Sequence, residues 1–111
     1  MNYMHISLRP PLDRLVARSV ERKCPVKGLD LPCWVVRPQY RSPQGYGHVS
    51  INGRSTPAHR AAYVELIGPI PTRLDLDHLC RNRPCWNPWH MDPVTRSVNI
   101  LRGFAALKNS S

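Results

Sequence analysis

At 111 residues the chain is long enough for one domain, near the lower end of what sustains its own core, and no apolar run approaches the roughly 20 residues of a membrane span. Sixteen Lys and Arg against seven Asp and Glu give a formal charge of +9 and a pI near 10.1. That excess favours a polyanionic partner, and nucleic acid is the usual one. Twelve prolines and six glycines imply short elements and many turns, a composition that suits a metal staple. The N-terminus has charges and prolines where a signal peptide carries an apolar stretch. A cytoplasmic location is therefore expected, and four cysteines in a reducing compartment read as metal ligands rather than as two disulfides.

Residues 1 to 11 read as an irregular arm ending in Pro10-Pro11. Leu12, Leu15, Val16 and Val20 then fall on one side of a short helix, with Arg14, Arg18 and Arg22 more exposed. Pro25, Gly28 and Pro32 break the chain, and CWVV from Cys33 reads as a strand followed by a polar loop. GYGHVSINGR is the clearest strand signal: Val49 and Ile51 point one way, Tyr46, His48, Ser50 and Asn52 the other. Asn52-Gly53 marks a type I′ hairpin turn. A helix is expected from near Pro57 to Gly68-Pro69, with Ala58, Ala62, Leu66 and Tyr63 on its apolar side. LDLDHL alternates as a strand does, placing Leu74, Leu76 and His78 on one side and Asp75, Asp77 and Leu79 on the other. The stretch from Cys80 to Trp89 has two prolines and little periodicity, so it is a loop that needs something to fold around. HMDPVT supplies a further short strand. Thr95 suits the N-cap of a helix from Arg96 to about Leu101, with Gly103 as its stop.

The densest chemistry lies in DHLCRNRPCWNPWH, Asp77 to His90, with Asn99 nine residues later. Asp, His and Asn are poor core residues unless paired or ligated. Cys80, Cys85 and His90 form a C-x4-C-x4-H series that leaves a tetrahedral zinc site one ligand short; Cys33 and Cys24 are the available fourth thiolates. Asp77 and Asn99 offer hard oxygens suited to Mg²⁺ (or Mn²⁺). His78, with an imidazole that titrates near neutrality, suits a general base. Arg73, Arg81, Arg83, Arg96 and Arg102 sit beside these residues, where they tilt the balance toward phosphate contact.

This segment resembles the ββα-metal (HNH, His-Me finger) nuclease superfamily in its phage-type, cysteine-bearing branch. It is also similar to the His-Cys box homing endonucleases. The likeness extends upstream to Cys33-Trp34, GYGHVSINGR and AHRAAYVELIGPIP, about residues 33 to 103. It implies an α+β, zinc-stabilised fold with an upstream β-hairpin. Residues 1–30 show no such likeness, so the expected division is an N-terminal arm and short helix over 1–30, the endonuclease domain over 31–104 and a tail over 105–111. It implies His78 as base, Asn99 as the helix ligand of the catalytic ion, and Cys80, Cys85 and His90 as zinc ligands. The Cys-Trp pair at the first strand favours Cys33 over Cys24. The chain departs from the His-Cys box pattern in having Asp77 just before the base, as HNH homing enzymes do.

The expected activity is hydrolysis of double-stranded DNA by a monomer or homodimer, in the host cytoplasm if phage-encoded. Arg60 and Arg54 are candidates for the cation at the phosphorane. Arg37, Arg41 and Arg96 are candidates for backbone contact, and Tyr46, His48, Ser50 and Asn52 for base contact from a two-stranded ribbon. The rival reading is a non-catalytic zinc module that binds nucleic acid.

Overall fold

The computed structural model describes residues 12–109, so the arm expected over residues 1–11 and the final two residues lie outside the described residues. A first helix, α1 (Leu12–Ala17), buries Leu12 and Leu15 completely. It ends sooner than the apolar spacing suggested. Ser19–Arg22 form a strand, β1, antiparallel to β2 (Cys33–Val36), with Val20 opposite Val35. A helical continuation would have put Val20 beside Val16; in the ladder it meets another β-branched side chain, the pairing such residues favour. The change of direction is pinned by Ser19, whose hydroxyl donates to the Leu15 carbonyl (2.6 Å) and accepts from the Trp86 indole (2.9 Å).

All four residues of β2 are buried, as a short unbroken apolar run implies. Its second edge is filled by the irregular segment around Cys85. The Val36 amide donates to the Pro84 carbonyl (3.1 Å) and the Trp86 amide to the Trp34 carbonyl (2.9 Å), forming a bridge between Val35 and Cys85. Trp34 and Trp86 pack at 4.8 Å within the main core, alongside Leu12, Leu15, Val36 and Val49. The core therefore joins residues 12–36 to the later elements.

The expected hairpin forms from β3 (His48–Ile51) and β4 (Arg54–Pro57). Asn52 (φ 50°) and Gly53 (φ 78°) are both left-handed, the type I′ arrangement whose twist matches that of the flanking strands. Gly47, just before β3, lies so close to β2 that a Cβ there would run into the Val36 side chain. The Gly47 carbonyl then accepts from the Ala58 amide (2.9 Å), tying the hairpin base to helix α2 (Ala58–Leu66). Helix α2 turns Ala58, Ala61 and Ala62 into the core.

Strands β5 (Asp75–His78) and β6 (Met91–Val94) pair antiparallel, Asp77 opposite Asp92 and His78 opposite Met91. Helix α3 (Arg96–Asn109) follows directly. Thr95 caps it, its hydroxyl accepting from the Val98 amide (3.3 Å). Gly103 does not stop this helix. A glycine costs about 1 kcal/mol relative to alanine in a helix interior, too little to override continued backbone bonding. Two strands and a helix thus enclose the loop that carries the cysteines, completing a small α+β fold with hairpins and helices.

Gly47→Ala should lower stability by about 1–3 kcal/mol, the usual cost of forcing an extra carbon into packed surroundings. Urea unfolding reads this as a lower midpoint at unchanged slope; an unshifted midpoint would show that β2 and the hairpin can separate at no cost.

Candidate active site and metal centre

Cys33, Cys80, Cys85 and His90 are all buried, and their ligand atoms lie within 4.8 Å of one another. The His90 ring is oriented by Leu31, whose carbonyl lies 2.8 Å from Nε2. A carbonyl only accepts, so Nε2 carries the proton and Nδ1 presents its lone pair to the thiols. Nδ1 is 3.6 Å from Cys33 Sγ and 3.8 Å from Cys85 Sγ. Tetrahedral zinc, with bonds of about 2.3 Å to sulfur and 2.0–2.1 Å to nitrogen, separates such donors by roughly 3.6 Å. The cluster could hold zinc, and its histidine already has the carbonyl partner that metal-bound histidines use. The choice between Cys33 and Cys24 falls to Cys33: Cys24 is buried in the same apolar cluster but lies outside the four-ligand group.

As free thiols the three cysteines share protons. Hydrogen bonding to Cys80 pushes the Cys33 thiol up to about 12, and hydrogen bonding to Cys33 raises Cys85 as well. Cys80, hydrogen-bonded to both, is held ionised far below the ordinary thiol range. Asn87, fully buried, braces the loop: its side-chain amide donates to the Pro32 carbonyl (2.8 Å) and its oxygen accepts from the Trp89 amide (3.0 Å).

His78 ends β5 and is 9% exposed. Its Nε2 lies 3.1 Å from the Cys85 carbonyl, so Nε2 is protonated and Nδ1 is the free acceptor. Burial lowers its pKa, partly opposed by Cys80, the Cys85 carbonyl and Asp77. The ring is therefore neutral at physiological pH, the form a general base requires. Asp77, 2% exposed, is held by two arginines. Arg81 reaches both carboxylate oxygens (2.8 and 3.4 Å), and Arg102 bridges Asp77 (3.1 Å) and Asp92 (2.7 Å). Arg81 sits at φ 56°, in the left-handed region, where its amide closes a turn onto the His78 carbonyl (3.0 Å).

An open cleft of about 670 Å³ brings these residues together. Tyr46, Asp77, His78, Arg81, Arg83 and Asn99 form its polar side; Leu76, Ile100, Gly103 and Phe104 form an apolar one. Asn99, on the first turns of α3, thus shares a cavity with His78 and Asp77.

The other sequence-derived candidates are more dispersed. Tyr46 does not share the strand face of His48, Ser50 and Asn52: it precedes β3 and turns into the cleft, its ring 5.8 Å from that of His78. His48 is half-buried, its Nδ1 3.4 Å from the Tyr46 carbonyl, while Ser50, Asn52 and Arg54 lie exposed along the hairpin. Arg37 is exposed; Arg41 is partly buried and spends its Nε on the Val36 carbonyl (2.7 Å). Arg96 is 81% exposed and only loosely paired with Asp75 (3.7 Å). Arg60 is exposed on α2 and is not among the residues lining the cleft. Trp89 is half-exposed, whereas Trp34 and Trp86 are buried.

Sequence reasoning assigned His59 no role at the site and counted Arg83 only among the arginines that favour phosphate contact. His59 packs against His78, with ring centroids 4.6 Å apart and planes tilted by 55°, and also lies 5.7 Å from the Tyr46 ring. Arg83 lies over the Tyr46 ring (5.4 Å) and donates to the Gln44 carbonyl (3.0 Å). The one signal for His59 was its place in AHR, within a segment that already carried the family likeness.

Two strands and a helix around a buried histidine and a four-ligand cluster make a ββα frame of the kind the sequence led us to expect. Residues 56–100 match the family model described as HNH endonuclease. The chain is also similar to Protein 7.7 of Escherichia phage T7, with 40% identity over 56 residues, 50% of this chain and 43% of that protein. It is 34% identical over 44 residues to the uncharacterized gene 5.3 protein of Enterobacteria phage T3, covering 40% of this chain and 44% of that one. It therefore spans less than half the length of either relative. No solved structure matches it significantly.

Burial, followed by the charges of His78, Arg60 and His48, lowers the His59 pKa from 6.5 to about 3. The unfolded chain binds this proton below about pH 6.5 and the folded chain does not, so stability falls as pH drops from there toward 3. His59→Phe should weaken that dependence, and its melting temperature should fall less than the wild type's between pH 7 and pH 5. Parallel melting curves would mean that His59 accepts a proton in the folded state.

Proposed function

We propose that this protein is a DNA endonuclease, active in the host cytoplasm, in which His78 is the general base and Asp77 and Asn99 hold a divalent ion. The observation that carries the reading is the His78 ring, buried, neutral and fixed by the Cys85 carbonyl, with Nδ1 left as acceptor in a cleft shared with Asn99. His78 Nδ1 takes a proton from water as the water oxygen bonds to phosphorus, and the bond from phosphorus to the 3′ oxygen breaks on the opposite side. Asp77 and Asn99 fit a hard ion by chemistry, with one carboxylate and one amide oxygen. A carboxylate has about four lone-pair sites, and Arg81 and Arg102 make three hydrogen bonds to Asp77, which leaves room for one further ligand. When bound, Mg²⁺ or Mn²⁺ would supply positive charge for the phosphorane and the leaving oxygen.

The Cys33, Cys80, Cys85 and His90 set fits structural zinc, closed by four ligands with no open position. Double-stranded DNA is the substrate that the charge of +9 and the exposed hairpin best suit. Ser50, Asn52 and Arg54 would project from the hairpin toward the grooves, while Arg37, Arg60 and Arg96 contact the backbone. Among the described residues, no helix is long and apolar enough to cross a membrane. One observation favours the non-catalytic reading: Asp77 already serves a purely structural network with Arg81, Arg102 and Asp92.

Nicking of supercoiled plasmid separates the two. Purified protein should nick in Mg²⁺ or Mn²⁺ and not in EDTA; a mobility shift without cleavage in either would establish the binding module instead. His78→Ala and Asn99→Ala should lose cleavage by orders of magnitude while retaining bound zinc after dialysis. Cys85→Ser should lose the zinc and melt at a much lower temperature, because structural metal binding contributes to folding. Affinity for DNA should also fall steeply as salt rises, which titrations at several ionic strengths would test.

A further inference from the structure

Resting on the nuclease reading, we infer that Arg83 is the cation that meets the scissile phosphate, and that Tyr46 is the positioning residue that holds it there. Three arginine side chains reach this region, and two are committed. Arg81 directs two nitrogens to Asp77, and Arg102 divides its NH1 between Asp77 and Asp92. Their charge is balanced by carboxylates. Arg83 lines the same cleft, but the hydrogen bond it makes is to a neutral acceptor, the Gln44 carbonyl, at 3.0 Å. A guanidinium has five N–H donors in a planar fork. With one used, a forked pair remains for two phosphate oxygens, the geometry in which arginine binds phosphate best.

The placement is built. The Arg83 guanidinium lies over the Tyr46 ring at 5.4 Å, within cation–π range. The same ring stands 5.8 Å from His78. Tyr46 thus sets the spacing between base and cation, and the Gln44 bond fixes the guanidinium from the other end. A cation fixed before the substrate arrives needs no reorganisation as charge develops, which is where such groups contribute most. Arg60 and Arg54, the two candidates the sequence offered, are exposed on α2 and on the hairpin, outside this wall, and Arg60 falls to a backbone contact.

The test is plasmid nicking at saturating protein in Mg²⁺, with DNA affinity, bound zinc and melting temperature measured on the same preparations. Arg83→Ala should slow cleavage on the order of 100-fold, while affinity changes far less and zinc and melting stay as in the wild type. Added guanidinium ion should restore part of the Arg83→Ala rate and none of the His78→Ala rate, a rescue that a structural role would not give. Arg83→Gln, which keeps a donor for the Gln44 carbonyl, should be as slow as Arg83→Ala; it decides the matter if the alanine variant fails to fold. Tyr46→Leu should slow cleavage with little loss of affinity, and Tyr46→Phe should restore it, since the ring face does the positioning. If the wild type nicks and Arg83→Gln nicks equally fast, this inference fails and the nuclease reading stands; if the wild type does not nick, both fail.

Discussion

The convergence of Cys33, Cys80, Cys85 and His90 is the constraint on which the remaining architecture rests. Cys33 and His90 are separated by 57 positions in sequence, yet Sγ and Nδ1 lie 3.6 Å apart. The chain from Cys80 to His90 has no strand ladder of its own length and little apolar content. It is held by the cluster, by the Asn87 amide on Pro32, by the His90 ring on Leu31, and by two backbone bonds to β2. Every one of these contacts ends on residues 31–36. That short stretch is therefore an anvil for the whole loop. The turn joining β5 to β6, and with it the orientation of His78, follows from where that loop is pinned.

Around His78 the electrostatics are arranged by pairing rather than by exposure. Asp77 is almost completely buried, and a lone ionised carboxylate there would be strongly disfavoured. Arg81 and Arg102 supply the compensating charge, but both are more than a third exposed. Solvent screening then weakens each pair well below a fully desolvated one. The network contributes geometry more than stability. It fixes β5 against α3, so that Asn99 and His78 face the same cavity.

Much of this was legible in the residues. Asn52-Gly53 specified its turn because only a doubly left-handed dipeptide suits a tight twisted hairpin. The alternation in LDLDHL and the hydroxyl of Thr95 located β5 and the start of α3. The cluster was legible because three soft ligands at equal spacing have few other uses. Less legible was whatever depended on tertiary partners. Val20 fitted a helical stripe as well as a strand, and only the CWVV strand decided between them. Gly103 carried a stop signal that continued helical bonding outweighed. Tyr46 was counted with its neighbours by alternation, but the close approach of Gly47 to Val36 ends the strand before it and swings the ring toward His78. His59 and Arg83 carried no local pattern that placed them beside His78, and their proximity to it arises from how α2 and the cysteine loop pack.

Cys85 belongs to both halves of the molecule. Its sulfur faces the four-ligand cluster, and its carbonyl oxygen holds the proton of His78 Nε2. Scaffold and chemistry are therefore not interchangeable modules in this protein. A staple of another kind, an apolar plug or a disulfide, would keep the His78 ring as it stands only if it returned one peptide oxygen to the same point beside the imidazole. That demand falls on a backbone atom, so a fold kept intact by a different staple could still lose the imidazole's orientation.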